Sequence, residues 1–372
     1  MRVVAAALHT VRLPLVHEFQ TSSHAKRHLD HILVQLTDES GAVGWGEIAS
    51  ASHPFYGAET VETATLIAER YLLPSLIGKQ WTHPAEAARL WAKVRGNEFA
   101  KAGVDMACWT LFAQVSDQSL ASALGGTRDR AATGVSLGIE PTIDALVEQV
   151  GAQIEAGYRR VKLKIAPGWD VEPVKAVRAT FGDHDLHVDA NGAYPADEAS
   201  FAIMRELDRY QLTMIEQPFA PRNFVSHARL QAQLATAVCL DEAVETLDDL
   251  ATMIELKAGR ILNIKVSRMG GLTNAVAAHD RATAAGIGVW CGGMHEFGIG
   301  RAANVALCSL PGFELPSDVS GSAKYYARDV IVPVVETTAD GYVVIPTQPG
   351  LGFDVDSEWV AANTLATSQI EE

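Results

Sequence analysis

Three acidic residues are spaced evenly along the middle of the chain, and each follows a short apolar run. Asp189, Glu216 and Asp241 end the strings LHVD, LTMIE and AVCLD. Carboxylates that converge on one place repel each other strongly unless a cation lies between them. Ligation by oxygen alone favours a hard divalent ion over Zn²⁺. The pattern therefore predicts a Mg²⁺ site, with Mn²⁺ or another divalent cation as a substitute.

Lysines occur at the same spacing as these acids. Lys162 and Lys164 alternate in VKLKI, so on a strand both point to one face, and Lys265 ends a later run, ILNIK. Two lysines on opposite sides of a metal-bound carboxylate can take a proton from the adjacent carbon and return one to either face. A lysine near a metal and other cations has its pKa lowered from about 10.4 towards neutrality. We therefore expect proton abstraction α to a carboxylate through a metal-stabilised enediolate.

Each feature taken singly has a non-catalytic explanation. A strand-end acid can cap a helix or pair with an arginine, and KLK alone can be an edge strand with solvated lysines. Their joint occurrence at one period favours the catalytic interpretation, although a catalytically idle barrel that binds a ligand stays open as an alternative.

The elements that must position these residues begin at about Thr133, where short apolar runs alternate with amphipathic segments. The eight runs are GVSLGI, RRVKLKI, LHVDAN, LTMIEQP, AVCLDE, ILNIKV, GIGVWCGG and FELP. Parallel strands need crossovers, so the alternation predicts a parallel sheet. The number and spacing of the runs favour a closed barrel over an open doubly wound sheet. In such barrels chemistry lies at the C-terminal ends of the strands, where the acids and lysines fall.

The two ends of the chain have a different pattern. Residues 1–50 are typical of antiparallel strands, 58–124 of helices, and the final stretch again of strands with turns. We expect three segments: an N-terminal α+β domain over 1–128, the barrel over 129–323, and a C-terminal segment over 324–372 that returns to the first domain.

The composition excludes some classes of partner. The 372 residues carry 30 Lys and Arg against 45 Asp and Glu, a net charge of −15. A chain this acidic does not bind nucleic acid through its general field, and it lacks the basic amphipathic face of a membrane-surface protein. No apolar run reaches the roughly 18 residues that span a bilayer. The four cysteines lie in apolar contexts without a CxxC pair, so we expect reduced thiols and a cytoplasmic protein.

The strings KLK, DANGAY, IEQP, LDE, NIK and WCGGM, in this order, resemble the muconate-lactonizing-enzyme subgroup of the enolase superfamily. Within the subgroup the chain is most similar to the o-succinylbenzoate synthase/N-acylamino acid racemase family. The resemblance covers nearly the whole chain and is strongest from Thr133 to Ser322. It implies an α/β fold, with an α+β capping domain and a modified (β/α)₇β TIM-like barrel.

The resemblance also implies roles for individual residues. The metal ligands would be Asp189, Glu216 and Asp241. The two opposed acid/bases would be Lys164 and Lys265. Lys162 would lower the pKa of Lys164 and contact the substrate carboxylate. The residues that support the metal or line the substrate pocket would be Ser136, Asn191, Glu242, Gly292, Gly293, Met294 and Asp318.

The implied substrate is a small carboxylate, and the implied assembly is a homo-oligomer. The activity would be racemisation of N-acylamino acids, the dehydration that yields o-succinylbenzoate, or both. Muconate cycloisomerisation and dipeptide epimerisation remain alternatives within the superfamily. The GGM string favours the first interpretation, and a single Asp318 without a DxD pattern argues against the dipeptide epimerase.

The chain departs from the family pattern at its specificity surfaces. Thr21–Ala25 reads TSSHA where the family has TSFG, Glu98 replaces a usual Arg, and Thr110 replaces a usual Asp. After GGM the chain has HEF, residues 295–297, in place of an aliphatic residue, Glu and a small residue. In HPFYGAET, residues 53–60, an aromatic pair could cover an apolar substrate group or pack between domains, and both explanations stay open.

Overall fold

Alternating apolar residues at the start of the chain build a long antiparallel hairpin. In this computed structural model the described residues are 1–20 and 25–372, and side chains are described for 1–16 and 27–372. The TSSHA string thus falls almost wholly outside the described residues. The strands are β1 (Val3–Gln20), β2 (Ala25–Asp38) and β3 (Val43–Ile48), and the last strand of the chain, β15 (Thr364–Glu371), pairs with β1. The sheet order is therefore β15-β1-β2-β3.

Helices cover one face of this sheet. They are α1 (Val61–Ile67), a π-helical turn (Ala68–Leu72), α2 (Leu73–Leu76), α3 (Pro84–Leu90), α4 (Glu98–Val115) and α5 (Leu120–Ala123). Helix α4 lies against β3 at a distance that only glycine permits, since a Cβ on Gly46 would lie 2.0 Å from the carbonyl oxygen of Gly103. We refer to the β1–β3 and β15 sheet with α1–α5 as the capping domain.

Seven parallel strands follow, each leading into a helix. The strands are β5 (Gly134–Leu137), β6 (Arg160–Lys164), β7 (Asp185–Asp189), β8 (Met214–Glu216), β9 (Ala237–Leu240), β10 (Ile261–Ile264) and β11 (Gly288–Cys291), preceded by β4 (Arg130–Ala132). The helices are α6 (Ile143–Glu155), α7 (Val171–Phe181), α8 (Glu198–Leu207), α9 (Phe224–Gln231), α10 (Leu247–Leu256), α11 (Leu272–Ala284) and α12 (Gly298–Leu307). The 3₁₀ turn Asp208–Tyr210 follows α8. The strands are ordered β5 to β11 without interruption.

The barrel closes through Ser317 and Asp318 rather than through a full eighth strand. Ser317 donates its N–H to the carbonyl of Ala132 and accepts one from Gly134, and Asp318 donates to the carbonyl of Cys291. The predicted modified barrel fold is thus confirmed, but the run FELP is not itself a strand. Its Pro316 has no N–H to donate to a ladder.

The remaining chain runs over the barrel and back to the capping domain. Its elements are the 3₁₀ turn Ser322–Lys324, β12 (Ile331–Val332), β13 (Tyr342–Val344), β14 (Asp354–Val355) and α13 (Ser357–Asn363). β13 pairs with β4, and β12 with β14. The domain boundaries at 128/129 and 323/324 stay a prediction. Among the described residues, no helix is long and apolar enough to cross a membrane.

Helix α4 docks onto the barrel through a buried carboxylate. Asp105 accepts hydrogen bonds from the N–H of Thr273, at 2.9 Å, and from its hydroxyl, at 2.6 Å. The Thr273 hydroxyl in turn accepts from the indole N–H of Trp109. Gly271 leaves the space for this contact, because a Cβ there would lie 2.4 Å from Asp105. The start of α11, shortly after Lys265, is therefore fixed by the capping domain.

Asp105 should make stability depend on pH. Burial raises the pKa of Asp105 to about 7, from 3.8, against the effect of its hydrogen bonds. The unfolded chain therefore releases this proton at a lower pH than the folded chain, so its contribution to stability falls as pH rises from about 4 to 7. We expect Asp105→Asn to flatten the pH dependence of the free energy of unfolding in urea. Asp144→Asn, on exposed α6, should keep the wild-type slope, and equal slopes in all three proteins would contradict the assignment.

Candidate active site

Strand register brings three of the predicted residues to one level of the barrel. Lys164 on β6 is the partner of Asp189 on β7, and Asp189 is the partner of Glu216 on β8. Asp241 and Lys265 are the residues directly after β9 and β10. All five positions therefore lie at the C-terminal ends of consecutive parallel strands, from β6 to β10, at the barrel mouth.

Asp189 and Glu216 are bonded to the lysines of the KLK string. The Lys164 ammonium donates to Oδ2 of Asp189 at 2.6 Å, and the Lys162 ammonium donates to Oε2 of Glu216 at 2.7 Å. Lys162 also lies 3.4 Å from Asp189. The other oxygen of Glu216 accepts from the amide of Asn263 at 2.8 Å. Both carboxylates are thus fixed by side chains from neighbouring strands of the barrel.

Asp241 pairs with two cations at once. Its Oδ2 accepts from the Lys265 ammonium at 2.9 Å, and its Oδ1 accepts from the guanidinium of Arg268. Arg268 is buried and also donates to the backbone carbonyls of Val244 and Asn263. The sequence interpretation missed Arg268, although its place three residues after Lys265 was a signal that it lies near the same strand end.

Tyr56, from the HPFYGAET string, reaches this same group. Its hydroxyl lies 2.9 Å from the Lys265 ammonium. Both sequence-based interpretations of the aromatic pair, as a cover for the substrate or as interdomain packing, missed this polar contact. Burial and the charge of Asp241 raise the pKa of Tyr56 to about 12. The phenol therefore keeps its proton at neutral pH.

The pKa values of the acids show how crowded the negative charges are. Burial and the charge of Asp189 raise the pKa of Glu216 to about 8, and burial and the charge of Asp241 raise the pKa of Glu242 to about 7. Burial also opposes ionisation of Asp189 and Asp241, but the lysines and Arg268 outweigh it and hold both pKa values below the usual range. Asp189, Glu216, Asp241 and Glu242 therefore form one cluster of acids, in which the charge of one group opposes the ionisation of another.

The lowering of the pKa that was expected for lysines beside a bound metal is not found for Lys162 or Lys265. Burial acts to lower the pKa of Lys162 and of Lys265, but the facing carboxylates, led by Glu216 for Lys162 and Asp241 for Lys265, outweigh it and raise both values. The expectation assumed that a metal takes up the carboxylate charge. Here the ammonium groups themselves neutralise the acids, and a divalent ion would relieve the lysines of that role.

The donor set fits a hard divalent ion. Asp189, Glu216 and Asp241 offer carboxylate oxygens at one end of the barrel, which is the ligand class that Mg²⁺ prefers. Within the part of the chain that the structure describes, Oε2 of Glu242 is buried without a hydrogen-bond partner, so one carboxyl oxygen at the mouth is unsatisfied. Among the described residues, no three acidic, His or Cys side chains are already grouped around an ion position, since each acid is ion-paired instead.

Asn191, which was predicted to support the metal site, bridges Lys164 and Glu242 at the mouth. Its side-chain carbonyl accepts from the Lys164 ammonium, and its NH₂ donates to Oε1 of Glu242 at 2.7 Å. Asn191 adopts a left-handed backbone conformation with φ of 45°, which asparagine tolerates better than most residues. Asn191 therefore lies between Lys164 and Glu242 and contacts both.

Ser136 and Asp318 meet deeper in the barrel. The Ser136 hydroxyl donates to Asp318 at 3.2 Å, and the buried guanidinium of Arg160 donates to the other Asp318 oxygen at 2.9 Å. Lys162 lies 3.7 Å from the same carboxylate. Burial opposes ionisation of Asp318, but Arg160 and Lys162 outweigh it and keep its pKa well below the usual range. Arg160, Asp318, Lys162 and Glu216 thus form a charged row, in which Asp318 lies between Arg160 and Lys162.

The GGM string provides space rather than functional groups. A Cβ on Gly292 would lie 2.3 Å from the side chain of Asn263 and 2.8 Å from Cε of Lys265, so only glycine leaves room for that lysine. A Cβ on Gly293 would lie 3.2 Å from the backbone oxygen of Asp318. Met294 is half-buried and packs against the core of the capping domain.

Three of the residues that depart from the family pattern, Thr110, Glu98 and Phe297, make specific contacts in the structure. Thr110 exchanges two hydrogen bonds with the backbone of Trp45, at 2.7 and 2.8 Å, and so ties α4 to β3 inside the capping domain. Glu98 pairs with Lys101 at 2.8 Å. Phe297, of the HEF string, packs against the ring of His31, and its N–H donates to the buried carboxylate of Glu47. The two contacts of Phe297 join the loop after GGM to the capping sheet.

Two family models match the chain on either side of residue 128. The model described as the mandelate racemase/muconate lactonizing enzyme N-terminal domain matches residues 3–125, and the one described as enolase C-terminal domain-like matches residues 145–359.

Individual relatives are similar over nearly the full length. An o-succinylbenzoate synthase from Geobacillus kaustophilus is 42% identical over 357 residues, which cover 96% of this chain and 94% of that protein. An N-succinylamino acid racemase from an Amycolatopsis species is 41% identical, with coverage of 95% of each chain. The crystal structure of an enolase superfamily member from Listeria innocua has a TM-score of 0.97 at 38% identity, covering 100% of this chain and 99% of that one. The resemblance predicted from sequence is confirmed.

Proposed function

The chain belongs to the mandelate racemase/muconate lactonizing enzyme branch of the enolase superfamily, and from that premise we propose that it moves the proton α to a carboxylate in N-acylamino acids. The proposed acid/bases are Lys164 and Lys265. The proposed ligands of a divalent cation, Mg²⁺ in the first instance, are Asp189, Glu216 and Asp241.

The observation that carries the proposal is the placement of the two lysines. They extend from β6 and β10, which are four positions apart in a barrel of seven strands and one closing segment. Each ammonium is held by a different carboxylate, Lys164 by Asp189 and Lys265 by Asp241. Two amines on opposite walls of the barrel mouth can reach opposite faces of a planar carbon. A racemase requires this arrangement, because it removes a proton from one face and returns a proton to the other.

The reaction can be written with the side chains of this chain. One lysine, as the neutral amine, takes the α-proton, and the C–H electron pair moves into the substrate carboxylate. The opposite lysine, as the ammonium, gives a proton to the other face of the same carbon, so the lysines exchange protonation states. The divalent cation would bind the substrate carboxylate and stabilise the negative charge that develops there. Lys162, fixed between Glu216 and Asp189, would add a second positive charge beside that carboxylate.

Dehydration to o-succinylbenzoate is the second candidate, because the G. kaustophilus relative carries that name. Both reactions begin with loss of the proton α to a carboxylate, so the same lysines and cation serve both. They differ in the second step, which is either return of a proton to carbon or departure of a hydroxyl as water.

The proposal is tested by a substrate panel with Mg²⁺. N-succinyl and N-acetyl amino acids of each hand, the hydroxylated precursor of o-succinylbenzoate, muconates and dipeptides would be incubated with the enzyme, and turnover followed by polarimetry and ultraviolet absorbance. We expect racemisation of N-acylamino acids, with or without dehydration of the o-succinylbenzoate precursor. Turnover of only muconates or only dipeptides would replace the proposed substrate class. Absence of all turnover, with Mg²⁺ bound, would favour a binding protein instead.

A further inference from the structure

Tyr56 connects the capping domain to one of the two proposed acid/bases. The Lys265 ammonium donates to its hydroxyl at 2.9 Å and lies 4.7 Å from the centre of its ring. The hydroxyl also lies 3.3 Å from Nη1 of Arg268 and 3.4 Å from Oδ1 of Asp241. The Lys265 ammonium therefore has one hydrogen-bond partner from the barrel, Asp241, and one from the capping domain, Tyr56.

The loop that carries Tyr56 is anchored independently of Lys265. Glu59 accepts hydrogen bonds from the N–H groups of Phe99 and Ala100, at 2.8 and 3.0 Å, in the first turn of α4. The ring of Tyr56 packs edge-on against Phe99, with centroids 6.5 Å apart. The loop and the ring of Tyr56 are thus held by contacts within the capping domain, which bring the hydroxyl to Lys265.

Lys164 is held differently. Its ammonium donates to Asp189 and Asn191, both of which lie on the barrel, and among the described side chains no capping-domain group bonds to it. As far as side chains are described, the two acid/bases are therefore unequal, since the partners of Lys164 lie on the barrel and those of Lys265 lie on both domains.

We propose that Tyr56 is a positioning residue for Lys265 alone, so that the capping domain controls proton transfer at one face of the substrate carbon and not at the other. The inference rests on the function proposed above and deepens it. One enantiomer of the substrate would lose its proton to Lys164, and the other would lose its proton to Lys265, which Tyr56 orients.

The geometry gives the reason. An ammonium has three N–H donors, and Lys265 uses one for Asp241 and one for Tyr56. Two fixed bonds set the rotation about the Cε–Nζ bond, so the direction of the third N–H, or of the lone pair after deprotonation, is fixed as well. Without the phenol oxygen only the hydrogen bond to Asp241 remains, and the amine can rotate about it. The amine then spends a smaller fraction of its time in the orientation that suits proton transfer.

The test is Tyr56→Phe, which removes one oxygen atom and keeps the ring. Exchange of the α-proton for deuterium would be followed by proton NMR in D₂O, with Mg²⁺ and each hand of an N-succinylamino acid separately. We expect the exchange rate of one hand to fall by about 10- to 100-fold, the effect of losing a hydrogen bond to a charged group, and that of the other hand to change by less than about 2-fold. The sensitive hand should be the one whose exchange is lost in Lys265→Ala.

Tyr210→Phe is the matched control, because that hydroxyl bonds to Glu206 at 3.4 Å on the outside of the barrel, and it should leave both rates unchanged. Equal slowing of both hands in Tyr56→Phe would assign the tyrosine to general closure of the site and overturn the inference, as would two unchanged rates. If the wild-type enzyme exchanges neither hand, the proposed function itself fails, which the same experiment separates from failure of the role of Tyr56.

Discussion

Replacing Lys164 or Lys265 with alanine is expected to lower racemisation by about 10³- to 10⁴-fold in both directions, the upper part of the range for loss of a general acid or base. Each direction needs one lysine as base and the other as acid, so either substitution blocks both directions. The interconversion of the two hands of an N-succinylamino acid, followed by polarimetry, measures the effect.

Stability should change little in these two variants. Asp241 keeps Arg268 as a partner when Lys265 is removed, and Lys164 is partly exposed. Lys175→Ala is the matched control, because this lysine lies on the exposed face of α7 and should retain full activity. Racemisation at more than about a tenth of the wild-type rate in either active-site variant would show that the missing lysine is not a required acid/base.

The second large effect is expected for Asp241→Asn. The carboxylate faces two buried cations, Lys265 and Arg268, and the amide leaves both without their counter-charge. Breaking a buried ion pair in this way costs about 3–5 kcal/mol of stability. The change also removes a proposed ligand, so we expect turnover to be lost and the thermal stabilisation by Mg²⁺ to be reduced.

Two measurements check this prediction, namely urea unfolding without metal and the melting temperature as a function of Mg²⁺ concentration. For the wild-type protein, Mg²⁺ at 100 times its dissociation constant should add about 2.7 kcal/mol of stability. Asp197→Asn serves as the control, because asparagine also caps helices well and the side chain is exposed at the start of α8. An unchanged response to Mg²⁺ in Asp241→Asn would remove Asp241 from the proposed ligand set.

The regular part of the fold and site was predictable from sequence. A period of one strand and one helix places a residue at every strand end, so the acids and lysines of β6 to β10 could be assigned to one barrel mouth before their contacts were seen. The alternation of Lys162 and Lys164 likewise fixed their common face. Both arguments depend on local periodicity, which a single sequence carries.

Contacts between distant segments could not be predicted in this way. Tyr56 and Lys265 are 209 residues apart, and no local pattern relates them. The role of Arg268 depends on where a loop turns after β10, and closure of the barrel at Ser317 rather than in FELP depends on hydrogen bonds to two separate strands. These features arise from tertiary packing.

The pKa values of Lys162 and Lys265 differ from expectation for an electrostatic reason. The expectation counted cations around the lysines and a metal on the acids, whereas in the structure the lysines themselves face the acids. The sign of such a shift depends on which charge is nearest, and sequence spacing alone does not give that distance.

The central claim is that two lysines serve opposite faces of one carbon, and deuterium exchange in the single alanine variants tests it most directly. In D₂O with Mg²⁺, the wild-type enzyme should exchange the α-proton of both hands of an N-succinylamino acid. Lys164→Ala should lose exchange of one hand and Lys265→Ala of the other, while each keeps the exchange that its remaining lysine catalyses. Loss of the same hand in both variants, or of neither hand, would contradict the assignment of the two lysines to opposite faces.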